Sequence, residues 1–114
     1  SEVNDAESLG IEVIALRQTS GGFMLDFRYR VPNPEKSMPM FQEEITPYLI
    51  DHSSGSELPI IGSTKVGPLR PTSRDPRKGV VYFMFFGNPG QLVKVGTKVT
   101  VVVADHRLEN LVVQ

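Results

Sequence analysis

The sequence predicts an all-β fold in which about seven short strands form two antiparallel sheets packed face to face. Three observations lead there. Short runs rich in β-branched and aromatic residues recur along the chain, most of them bounded by Gly, Pro, Asn or Ser. No amphipathic helical pattern extends beyond a single turn. The clearest signal is Phe23–Val31, where Phe23, Leu25, Phe27, Tyr29 and Val31 alternate with Met24, Asp26, Arg28 and Arg30. That period of two places the large apolar side chains on one face, whereas a helix would scatter them around its girth.

The elements follow in order. Residues 1–8 are polar and acidic without periodicity and read as a flexible N-terminal tether, leaving 9–114 as a single domain. Leu9–Gln18 is a strand in which Leu9, Ile11, Val13 and Ala15 share one face and Ile14 and Leu16 the other, a pattern that a bulge would reconcile. Ser20-Gly21-Gly22 turns the chain into Phe23–Val31, making a hairpin. Pro32 and Pro34 end that strand. Glu35–Thr46 reads either as a loop or as a loop with one helical turn at Phe41–Glu44. Pro47–Asp51 is a strand, His52–Ser56 a turn, and Glu57–Ile61 the return, with Pro59 marking an edge. Gly62–Gly79 is irregular and holds Pro68, Pro71 and Pro76. Val80–Phe86 is a strand apolar on both faces, broken by Gly87–Gly90. Gln91–Val95 bridges to the strand Thr97–Ala104, Asp105–Arg107 turns, and Leu108–Gln114 closes. A strand apolar on both faces favours a sandwich over a small closed barrel, whose outer surface would be wet.

Composition removes several functions. With 12 Lys+Arg against 13 Asp+Glu, the net charge of −1 gives no global field for nucleic acid or anionic surfaces. Zero Cys excludes disulfides, thiol nucleophiles, zinc-thiolate and iron–sulfur sites. No apolar run is long enough to span a bilayer as a helix. No phosphate-cradling Gly motif occurs. The chain opens at Ser1 rather than Met, which fits either a removed leader or anchor, or a cloning boundary.

The segment Asn88–Val101, with its loop ending at Gly96 and its Val99-Thr100-Val101 strand, resembles the last third of bacterial immunoglobulin-like domains. The alternating strand Phe23–Val31 is similar to one of theirs. Over residues 9–114 the resemblance implies an immunoglobulin-like sandwich, extracytoplasmic in the periplasm or at the cell surface. It also implies a non-catalytic binding or structural module of an exported protein. The resemblance assigns no residue a role.

Each candidate site also has a plainer reading. His52 beside Asp51 and Ser53, and His106 beside Asp105, hold the residue types of nucleophilic hydrolysis. Neighbours in a turn rarely face one another, however, and no Gly-x-Ser-x-Gly elbow exists. No catalytic residue is expected, and Asp51 and Ser53 read better as turn formers. Met38 and Met40, with His52 or His106, are the side chains a periplasmic small-ligand or metal (copper) carrier would use, the alternative function. Met residues also fill gaps at the end of a core. Asp26, Asp51, Asp75 and Asp105 are too scattered for calcium, and no cofactor is expected. Arg70, Arg74, Arg77 and Lys78 form a basic group suited to an anion, a glycan or another partner, or simply to solvent. Finally, Val81, Phe83 and Phe85 form the second apolar face of their strand. Cover for it must come from Gln91–Val95, from a ligand, or from a protein partner such as a second copy in a homodimer.

Overall fold

The computed structural model describes residues 6–42, 44–63 and 78–114. Among them are the strands β1 (Glu12–Thr19), β2 (Met24–Arg30), β3 (Tyr48–Asp51), β4 (Glu57–Ser63), β5 (Val81–Gly87), β6 (Lys98–Val103) and β7 (His106–Val112), with three single-turn 3-10 helices between them. The protein is all-β. All seven strands join one antiparallel sheet in the order β1-β2-β5-β4-β3-β6-β7. The sheet almost closes on itself. Gln114 donates its N–H to Leu16 O and accepts from the N–H of Gln18, both at 2.9 Å, joining the end of the chain to the first strand.

β4 makes the bend. Its first half, Glu57–Pro59, pairs with β3, and its second half, from Ile60, pairs with β5. An extra residue at Ile61 shifts the register between them, the local twist that a bulge supplies. Pro59 was expected to mark an edge strand, yet β4 lies inside the sheet order. The Pro is tolerated because its half of β4 ladders on one side only.

A second bulge in β1, between Val13 and Ala15, resolves the two-faced pattern of that strand. Before it Ile11 and Val13 turn inward, and after it Leu16 does, while Ile14 at the bulge is exposed. The third bulge is in β7, where Asn110 adopts φ 58. Asn accepts that left-handed conformation more readily than most side chains.

The core is one cluster. Leu25, Phe27, Tyr29 and Val31 of the alternating segment are fully buried in it, but Phe23 is 55% exposed. Phe23 precedes β2, at the end of the hairpin turn, so the strand's inward periodicity does not reach it. In β5 the inward row is Tyr82, Met84 and Phe86, and Val80, just before the strand, is exposed. The connection from Val31 to β3 is more than a loop. Its 3-10 turn lies at Met38–Met40, not at Phe41–Glu44, and it inserts Met40 and Phe41 into the core. The rings of Phe27, Tyr29, Tyr82 and Phe41 make a contiguous set, with centroids 5.0–6.3 Å apart. β6 is buried on both faces: Val99, Val101 and Val103 inward, Thr100 and Val102 outward beside Ile50, Tyr48 and Arg107.

Residues 6–8 lie in a turn, where Ala6 packs partly against the core, and 1–5 of the expected tether lie outside the described residues. The turn needs Gly10, at φ +63, because a Cβ there would sit 2.5 Å from Asn33 O.

Asn88 holds one end of the molecule together. Its buried side chain donates from Nδ2 to Gly22 O (2.8 Å) and Val93 O (3.0 Å) and accepts at Oδ1 from the Val93 N–H (2.9 Å). Its backbone N–H reaches Phe23 O. An aspartate would face two carbonyl oxygens with no N–H to offer and would bury a charge. Asn88→Asp is therefore expected to lower the unfolding free energy by about 2–4 kcal/mol in urea titration, and Asn88→Ala by about 1–3 kcal/mol.

Candidate functional site

The most developed polar–apolar arrangement is the outward face of β2 and β5. Their register sets Asp26 beside Phe85, Arg28 beside Phe83 and Arg30 beside Val81, so a charged row lies directly against an apolar one. Phe83 and Phe85 are half-buried with ring centroids 5.1 Å apart, and Val81 is 39% exposed. The Arg28 guanidinium carbon stands 5.4 Å from the Phe83 ring centroid. Arg28 Nε also lies 3.1 Å from Asp26 Oδ2, two residues earlier on the same face. The aspartate thus orients the arginine, and the arginine roofs the ring. Such a cation–ring contact contributes about 0.5–1 kcal/mol at an exposed site. On β1, Glu12 meets Arg30 at 3.2 Å.

This arrangement answers one sequence expectation. Gln91–Val95 was a candidate cover for Val81, Phe83 and Phe85, but the segment is tied elsewhere. Gln91 Nε2 donates to Gly21 O, and Val93 O accepts from Gln18 Nε2 at 2.7 Å. The ring of Phe83 is shielded instead by Arg28.

His52, Asp51 and Ser53 do come together, as a turn. The buried Asp51 carboxylate accepts from the Ser53 N–H (3.2 Å) and from Ser54 Oγ (2.7 Å). Gly55 donates its N–H to Asp51 O, and Asp51 donates its own N–H to Ser56 O. His52 shares a 2.7 Å hydrogen bond between Nε2 and Thr100 Oγ1. The carboxylate therefore braces backbone and serine rather than the imidazole. His106, half-buried, opens β7 beside Asp105. Of the two methionines, Met40 is fully buried in the core and Met38 half-buried. Among the described residues no three His, Asp or Glu side chains gather as metal ligands.

Arg70, Arg74 and Arg77 of the basic group lie outside the described residues. Lys78 is exposed, in a turn whose Gly79 N–H bonds to Val31 O at 3.0 Å. An open depression of about 580 Å³ lies between residues 6–13 and 32–36. Its charged rim, Glu7, Glu12 and Lys36, brings no nucleophile to a base, and Glu12 is engaged by Arg30. Among the described residues no helix is long and apolar enough to cross a membrane.

Sequence reasoning singled out Phe83 and Phe85 but not Arg28 or Asp26. Those two share a face by the period of two, so their pairing was readable; their place beside Phe83 depends on the β2–β5 register, which was not. Asp51→Ala, which leaves the Ser53 N–H and Ser54 hydroxyl without their acceptor, is expected to cost about 1–3 kcal/mol by urea unfolding. His52→Ala, removing an exposed ring, is expected to cost less than about 1 kcal/mol.

Compared with protein-family models, with curated proteins and with solved structures, the chain matches none.

Proposed function

We propose that the chain is a non-catalytic binding or structural module of an exported bacterial protein, an immunoglobulin-like sandwich that docks through the outward face of β2 and β5. The sandwich reading is supported by strand order. On this reading β1, β2 and β5 form one layer and β3, β6 and β7 the other, with β4, which changes partner at its bulge, as the strand that joins them. The docking reading is carried by a single observation: Arg28, fixed by Asp26, lies over Phe83, itself in contact with Phe85, on the outward face of the sheet. Aromatic and arginine side chains are the residue types that dominate protein interfaces, and one already held in place loses little freedom on binding.

The partner is a second copy of the chain. Asp26, Arg28 and Arg30 on β2, with Glu12 beside Arg30 on β1, give this face two charges of each sign, a balance that suits a two-fold contact between identical copies. Sedimentation velocity over a range of concentrations tests this. The expected result is a dimer that Phe83→Asp with Phe85→Asp converts to a folded monomer, because both rings lie outside the core. A wild-type chain that stays monomeric at all concentrations would overturn the self-association. Unfolding of the double variant would instead make this face structural. Arg28→Ala, which leaves the rings in place, is expected to weaken the dimer about tenfold.

A further inference from the structure

The end of the molecule opposite the open depression carries a separate surface. There the β1–β2 turn (20–23) and the β5–β6 connection (88–97) lie side by side. Phe23 is 55% exposed, Leu92 42% and Val95 63%, an unusual concentration of large apolar side chains on turn residues. Lys94, between Leu92 and Val95 in the chain, and Lys98, at the start of β6, are both exposed. Neither 18–23 nor 88–98 contains an Asp or a Glu. The chain as a whole is slightly acidic, so these two segments are set apart in sign as well as in polarity.

The rim is also held in shape before anything binds. Asn88 ties 88–93 to Gly22 and Phe23, Gln91 reaches Gly21 O, and Gln18 reaches Val93 O. Ordered apolar tips carried on two segments that hold lysines but no Asp or Glu of their own match a lipid interface. The apolar side chains enter the boundary between headgroups and acyl chains while the ammonium groups meet anionic headgroups. A fluid surface closes around separate protruding tips, whereas a protein partner would need a cavity shaped for each. We propose that this rim is a peripheral docking site for an anionic lipid bilayer, with Phe23 and Leu92 as the inserting side chains and Lys94 and Lys98 as the headgroup contacts.

Co-sedimentation with vesicles tests it, comparing pure phosphatidylcholine with an equal mixture of phosphatidylcholine and phosphatidylglycerol. The whole chain is expected to bind the mixed vesicles, to release them as salt is raised, and to bind the neutral ones far more weakly. Phe23→Ser with Leu92→Ser is expected to abolish binding while the thermal unfolding transition is retained. Lys94→Ala and Lys98→Ala should each weaken it about fivefold. Phe83→Asp should leave it unchanged, so failure of the β2–β5 dimer and failure of the lipid site are distinguishable. Three results would overturn the proposal. One is no binding to the mixed vesicles at low salt. Another is binding that survives the Phe23/Leu92 double variant. The third is self-association that the same double variant dissolves while vesicles stay unbound, which would assign the rim to a second copy of the chain.

Discussion

Four aromatic rings make the centre of the core. Phe27 and Tyr29 come from β2, Tyr82 from β5 and Phe41 from the connection that follows β2, and their contacts lie inside the single buried cluster. The bulges, the bend in β4 and the return of the chain to β1 each bring backbone into position around that centre. Removing one ring leaves the others without their edge or face partner, so the contribution of the set exceeds its buried area alone. Outward-facing residues depend on it indirectly. Phe83 stands where Arg28 can roof it only because Tyr29 and Tyr82, their neighbours in sequence, point the other way.

Much of this was legible in the sequence, and the boundary between what was and was not is physical. Alternation in Phe23–Val31 located β2 and most of its core, since a period of two is a property of the strand itself. It misplaced Phe23 because the period carries no information about where a turn begins. The conflicting faces of β1 signalled a bulge, and the register bears one out at Ile14. Pro59 signalled an unpaired side correctly but an edge strand wrongly, because a strand that changes partners has an open side without lying at the margin. Met40 and Phe41 lay in a stretch with no periodicity, where burial is decided by the rest of the fold.

Functional features divide the same way. Asp51 and Ser53 were readable as turn formers because their hydrogen bonds span only a few residues. Asn88 was read only as part of a strand-breaking segment. Its partners include Gly22, far away in sequence, and nothing local marks an amide that will be buried between its own connection and a distant turn. The apolar face Val81–Phe83–Phe85 was visible as an excess of hydrophobic side chains. That Arg28 stands over Phe83 emerged only when β2 was set beside β5.

The junction at Gln114 has a mechanical consequence. β1 and β7 run in the same direction, and the last residue bonds to Leu16 and Gln18 alongside β1 rather than across its end. Tension drawn along these two strands in opposite senses would load both bonds together in shear, with neither able to peel away first. Pulled along that axis, the sheet would hold its length until both bonds gave way together.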